Sequence, residues 1–292
     1  MDTCFRGIIV GTHIPRSKHM NQLSTEKRAK ILSLMCEGMP LRGIARVEDV
    51  SLDTVMRLLR LAGMACHLYH FDNVRNIPGK RNIQCDEIWS FVYAKEKRAS
   101  YVNPLDRAGN AWTWTALDAD SKLLVSYLIS PKRDTKSAVA LFSDLQSRLK
   151  KRPRITADDL KAYRKAAEMV FGKKARKTLS QMRKGEDNDH NTAYVERHNL
   201  TIRMSNRRYA RKTNAFSKKL SQHITMMDLW VVHYNFCRIH KTLQVTPAME
   251  AGLTDTLRDC KWLVELIDLT TEPPKKPGPA KGTKYRPRNE RD

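Results

Sequence analysis

Long hydrophobic runs are missing from this sequence. No apolar stretch approaches the roughly 20 residues of a membrane-spanning helix, and Ile8-Ile9-Val10 is too short for the apolar core of a signal peptide. The expectation is a cytoplasmic protein, nucleoid-associated in a prokaryote, with no membrane partner. Paired cysteines are missing as well. Cys4, Cys36, Cys66, Cys85, Cys237 and Cys260 are scattered with no C-x-x-C among them, which argues against a zinc ribbon and a disulfide framework. Cys66, His67 and His70 are neighbours, but a metal site there needs a distant fourth ligand. The third shortage is of acid: 31 Asp and Glu face 54 Lys and Arg, a net charge of +23. Such an excess favours a polyanionic partner, usually nucleic acid. Basic ribosomal and membrane-surface proteins share it, so charge sets the partner class and no more.

What is present is ordinary globular material: 292 residues, 41% of them hydrophobic, enough for one large or two to three small domains. Residues 1–20 lack periodicity and read as an irregular lead-in. Across 21–65, Ala29, Ile31, Leu32, Leu34 and Met35 mark a helix that Gly38 closes. Leu41, Ile44, Ala45 and Val47 suit a short second helix. Ser51 caps a third, with Val55, Leu58, Leu59 and Ala62 at helical spacing. Helix, short helix, tight turn, helix is the helix-turn-helix order. Thr54, Arg57 and Arg60 fall on the exposed side of the third helix, where a recognition helix meets base edges or phosphates. An ordinary three-helix unit with a solvated face would look the same; the net charge favours DNA binding. Residues 66–82 read as a linker.

From residue 83 the period changes to that of strands: Gln84 to Ala94, Ala111 to Leu117, Leu123 to Ile129, and, after a helix begun near Thr135, Arg154 to Ala157 ending in Asp158-Asp159. A helix from Lys161 to Phe171 follows. Three antiparallel strands, a helix, a short strand ending in an acid and more helix is a ribonuclease-H-like order. The fold class expected is mixed α+β and α/β, a sheet of five strands or fewer flanked by helices. In that order the fourth strand lies parallel beside the first, so Asp158 should arrive beside Asp86. Residues 172–213 hold 12 Lys and Arg against four acids. Among them a helix opens at Asn191-Thr192 and carries Glu196. A long helix from about Ser217 ends in Tyr234-Asn235-Phe236-Cys237. A C-terminal helix is expected in 256–272, and 273–292, with five prolines and seven Lys or Arg, as a disordered basic arm.

Three acids stand out: Asp86, Asp158 and Glu196. Hard divalent cations take oxygen ligands, and two such ions serve an in-line displacement at phosphorus. The stretches Cys85-Asp86-Glu87-Ile88-Trp89-Ser90-Phe91-Val92, Ile155-Thr156-Ala157-Asp158, Tyr194-Val195-Glu196-Arg197-His198-Asn199-Leu200-Thr201-Ile202-Arg203 and Tyr234-Asn235-Phe236-Cys237-Arg238-Ile239-His240-Lys241 resemble those of DDE-type insertion-sequence transposases, specifically the IS-one family. The resemblance spans about residues 83–253. It implies a catalytic domain over 83–255, with Asp86, Asp158 and Glu196 as a triad for two Mg²⁺, Mn²⁺ substituting. Arg203, two turns after Glu196, matches a basic residue that contacts terminal DNA; Arg207 and Arg208 extend that basic stretch. The chain departs from the family pattern twice. Asp159 stands where the family usually has Gly, leaving Asp159 as the alternative second ligand, and the N-terminal C-x-x-C element is absent.

The implied function is a transposase that cleaves the 3′ ends of an element and transfers them to target DNA. Its partners would be double-stranded DNA, at inverted-repeat ends and target, and further copies of itself. A non-catalytic DNA-binding regulator and a ribonuclease-H-like nuclease without strand transfer are the alternatives. Glu87 is expected across the pleat from Asp86, hydrogen-bonded or at the surface. Asp118 and Asp120 read as turn residues and His198 as structural. Arg238, His240 and Lys241 could support the third carboxylate's helix or grip phosphate. Trp89, Trp112 and Trp114 read as core.

Overall fold

The computed structural model describes residues 23–99, 108–182 and 191–271. The lead-in before residue 23 and the basic arm of 273–292 lie outside them, as does most of the polar loop 185–191. The described residues form five strands: β1 Asn82–Val92, β2 Gly109–Asp118, β3 Leu124–Ser130, β4 Arg154–Asp158 and β5 Leu179–Met182. The helices are α1 Thr25–Cys36, α2 Leu41–Val47, α3 Leu52–Asn73, α4 Glu96–Ala99, α5 Thr135–Arg148, α6 Lys161–Phe171, α7 Ala175–Thr178, α8 Ala193–Ser205, α9 Leu220–Val232, α10 Pro247–Glu250 and α11 Cys260–Thr270.

The sheet runs β3-β2-β1-β4-β5, the first two pairings antiparallel and the last two parallel. This is the ribonuclease-H-like order. β1 is central because both its faces are covered, and Ile83, Cys85, Ile88 and Val92 are all buried. Pleat alternation divides the strand. Gln84, Asp86 and Ser90 meet α8 and α9, while Glu87 meets Tyr163 and Arg133. β5 has no counterpart in the sequence reading; four residues within a strongly basic stretch carry too little pattern.

In the N-terminal unit, Ser24 and Ser51 cap α1 and α3 as their side chains accept the Lys27 and Thr54 N–H groups. Gly38 ends α1 at φ +79°, where an added Cβ would lie 3.0 Å from the Ser205 carbonyl oxygen. The boundary expected at residue 65 falls inside α3. Ala65, Cys66 and His70 continue its buried stripe against α9 and α11, so half of the supposed linker is helix. α11 returns to α1, where Arg28 makes a two-pronged pair with Asp268 at 2.8 and 2.9 Å. The long helix expected from Ser217 begins at Leu220 and becomes a π-helical turn at His233–Cys237. Asn235 on that turn exchanges two 3.0 Å hydrogen bonds with the Leu124 backbone, and the Tyr234 hydroxyl donates to the Lys122 carbonyl at 3.1 Å. The tyrosine-asparagine stretch thus latches α9 to the start of β3. Among the described residues, no helix is long and apolar enough to cross a membrane.

Gly63 is where α3 crosses α9. A Cβ there would stand 2.5 Å from the Thr225 carbonyl oxygen and 2.9 Å from its Cα, which only a backbone shift relieves. Gly63→Ala is therefore expected to destabilise the protein by about 1–3 kcal/mol despite alanine's better helix propensity. Urea unfolding checks this; an unchanged or raised midpoint would mean the helices part freely.

Candidate active site

Cys85 lies opposite Ala157 in the parallel β1–β4 register, so Asp86 and Asp158 follow side by side. One carboxylate oxygen from each of Asp86, Glu87 and Asp158 lies within 4.8 Å of the other two. Asp86 Oδ2 accepts from the Asn199 amide at 2.7 Å. Burial pushes the Asp86 carboxyl above the usual range; the Glu87 N–H and Asn199 amide oppose this, and the charges of Asp158 and Glu196 add to it. Asp158 Oδ1 accepts the Leu160 N–H at 3.2 Å, and Oδ2 accepts from Arg133 Nη2 at 2.9 Å.

Arg133 serves two acids. Its Nη2 and Nε also donate to Glu87 Oε2 at 2.7 and 3.0 Å. Glu87 is buried, and burial carries its pKa up to about 7 against the Tyr163 hydroxyl and the Arg133 charge. Arg133→Ala would leave that carboxylate without its cation; because Glu87 can then take up a proton, the expected cost is only about 1 kcal/mol, the scale of the lost hydrogen bonds. Adding Glu87→Gln should recover most of the loss. Chemical denaturation of the single and double variants checks this, and equal stabilities would show that the pair carries nothing.

Glu196 stands apart from that trio. Its side chain is exposed in the first turn of α8, with Oε1 accepting from Thr192 Oγ1 at 2.7 Å. One turn on, Asn199 makes the contact with Asp86. Arg203, a further turn along the same face, is half-buried and feels the Asp86 charge. Gln84 places this helix: its amide donates to the Asn191 carbonyl at 2.6 Å and accepts the Val195 N–H at 2.9 Å. Gln84, Asn199 and Arg133 were not singled out from the sequence. The first two share faces with Asp86 and Glu196, a signal that was there to read. Arg133 follows β3 in a turn and carried none.

Asp159, the alternative ligand, points to Arg164 on α6 at 3.1 Å; the acid beside Asp86 is Asp158. Asp118 is buried against Arg81 at 3.1 Å and Ser121, and Asp120 accepts from Asn82 at 3.0 Å, so both serve the turn. His198 is buried edge-on against the stacked Trp230 and Tyr234 rings. Arg207 is exposed, whereas Arg208 donates to Ser217 Oγ at 3.0 Å and supports the fold. Thr54, Arg57 and Arg60 lie partly exposed on the first turns of α3, with Thr54 Oγ1 2.9 Å from Ser51 Oγ. His67 meets Asp228 at 3.5 Å and His70 Nε2 lies 3.3 Å from the Leu124 carbonyl, separate engagements that leave no metal cluster with Cys66 among the described residues. Of the three tryptophans read as core, Trp114 is buried and Trp112 half-buried, but Trp89 is 38% exposed. It lies where β1 runs on past the end of β4.

The donor set fits a hard divalent cation: adjacent carboxylate oxygens, partly buried, with no sulfur or imidazole among them. No family model and no curated protein matches the chain. Among solved structures it is similar to a simian T-cell lymphotropic virus intasome in complex with a PP2A regulatory subunit, at 13% identity and a TM-score of 0.40 over 80% of this chain and 77% of that one. It is also similar to the Mos1 strand transfer complex (12%, TM-score 0.27, 74% and 80%) and to a pre-cleavage Mos1 transpososome (11%, TM-score 0.32, 89% and 83%). At such scores these add nothing to the strand order, which alone identifies the fold as ribonuclease-H-like.

Proposed function

We propose that this chain is a DNA transposase that binds the ends of a mobile element, hydrolyses the phosphodiester there to free a 3′-hydroxyl, and joins that hydroxyl to target DNA. The observation that carries this is the side-by-side placing of Asp86 and Asp158 on β1 and β4, with α8 latched over them by Gln84. Asp86, Asp158 and Glu196 would hold two Mg²⁺, which supply activation of the attacking oxygen and stabilisation of the leaving one. The chain's own residues arrange the rest. Asn199 and the Glu87 N–H aim the Asp86 carboxylate. Arg133 fixes the rotamer of Asp158. Glu196 is held only by Thr192 among the contacts described, and its charge already reaches Asp86, so a change of rotamer is what brings it to the pair. Arg203 and the exposed Arg207 offer positive charge for DNA phosphates along the same helix and its exit. On this reading Thr54, Arg57 and Arg60 contact the element's ends, and one active site per end requires more than one copy on the DNA.

The test is a strand-transfer assay with candidate terminal inverted repeats drawn from the DNA that flanks the gene, Mg²⁺ and a supercoiled target. Nicked and joined ends are expected. Ends bound but neither nicked nor joined would overturn the enzyme reading in favour of a regulator. Nicking without joining would replace the transposase with a nuclease.

A further inference from the structure

The far end of β1 carries a surface for which the acidic cluster has no use. Trp89, Phe91 and Tyr93 alternate with the buried Ile88, Ser90 and Val92, and Trp89 and Tyr93 are 38% and 45% exposed. The Trp89 and Phe91 ring centroids lie 5.9 Å apart, and Phe216 joins Phe91 at 4.8 Å, the planes tilted by only 35° and 34°. The Lys218 ammonium lies 4.3 Å from the Phe216 ring centroid and 5.4 Å from that of Tyr93.

These rings are held from behind. The Tyr93 N–H donates to the Ser217 carbonyl at 2.8 Å. Ser217 Oγ accepts from Arg208 and lies 3.0 Å from His223 Nδ1, whose other nitrogen is 3.2 Å from Ser90 Oγ. A platform fixed in this way loses little freedom when something settles on it. Charge indicates what settles. Lys95, Lys97 and Arg98 follow Tyr93 and are exposed, as is Lys218, while Glu96 is engaged by the Asn110 N–H at 2.8 Å. A partner with both flat apolar faces and negative charge is a nucleic acid whose bases are unpaired, because a duplex stacks those faces internally.

We propose that Trp89, Phe91 and Phe216, flanked by Lys218, are a stacking platform for unpaired bases of single-stranded DNA. The proposal deepens the reading of the chain as a DNA-processing enzyme. Trp89 shares a face of β1 with Glu87, the opposite face to Asp86, and lies two residues, about 7 Å at strand rise, beyond that member of the acidic cluster. A strand with its phosphate at the acids can therefore lay nearby unpaired bases here.

The experiment is binding of a fluorescein-labelled dT12 to the full-length protein in EDTA, by anisotropy, so that no cleavage chemistry enters. Three comparisons are made: an abasic strand of equal length, a duplex of equal length, and the Trp89→Ala, Trp89→Phe and Phe216→Ala variants. Wild type is expected to bind dT12 at least about 5-fold tighter than the abasic strand, with Trp89→Ala losing about 5- to 150-fold on dT12. Trp89→Phe should retain most of the affinity, and duplex binding should stay within about twofold. Equal wild-type affinity for dT12 and the abasic strand would overturn the proposal whether or not any variant folds. So would a parallel loss on duplex, or a Trp89→Ala protein that keeps its dT12 affinity while a dimer dissociates in sedimentation. Failure here leaves the strand-transfer assay untouched, and failure of that assay leaves this binding measurable.

Discussion

Asp86→Asn is expected to lower end cleavage and joining by at least about a thousandfold, the scale of several kcal/mol of lost charge stabilisation in the transition state. The same substitution should leave the thermal midpoint unchanged or raise it. Burial penalises the ionised form of Asp86, so removing the charge removes a cost of folding, and an asparagine oxygen can still accept the Asn199 amide. Loss of activity without loss of stability separates a chemical role from a structural one. Asp158→Asn should behave alike in activity. Asp159→Ala should stay within about fivefold of wild type, since it removes only an exposed pair with Arg164. Activity surviving Asp86→Asn, or lost only with Asp159→Ala, would disprove the assignment. Rates with Mg²⁺ and differential scanning fluorimetry decide the matter.

The second large effect is on stability in acid. His223 is wholly buried among Ser90, Ser217 and Tyr209, and burial drives its pKa down to about 3, with Arg208 adding to the shift. Unfolded, the ring takes up a proton near 6.5; folded, it refuses one until about 3. The unfolded state therefore binds the extra proton throughout that window. Stability present above pH 6.5 is lost as the pH falls through it, at up to about 1.4 kcal/mol per unit. At pH 5 this single histidine should cost about 2 kcal/mol. His198 and His233, driven down to about 3 and 4 by burial first, act in the same direction. Urea midpoints at pH 7 and pH 5 measure the loss, and His223→Gln should reduce the difference between them by about 2 kcal/mol while keeping a hydrogen-bonding side chain. An identical pH difference in wild type and variant would show that His223 is protonated without consequence.

How much of this could be read beforehand varied with the kind of signal. The strands β1 to β4 and the helices α5 and α6 were legible because period-2 and helical patterns hold over their lengths. The pairing of Asp86 with Asp158 followed from strand order, since a parallel crossover brings the end of the fourth strand beside the first. Misreadings came where one pattern served two neighbours. The residues taken for a linker, Cys66 to Asn73, continue α3 because α9 and α11 bury them. Trp89 looks like core in composition, but β4 ends before reaching it, and one of its sides is left to solvent.

The sequence by itself determined the basic character, the order of elements through α6 and the meeting of Asp86 with Asp158, because charge balance and periodicity are local properties that survive without coordinates. It did not place Glu87 in their cluster. Only the tertiary structure decided that Arg133 would enter the acidic cluster, that Asn199 rather than Glu196 would touch Asp86, and that Gln84 would hold the helix carrying both. These are contacts between residues far apart in the chain. They depend on side-chain rotamers and on the seating of one helix against one strand, to which no spacing along a chain refers.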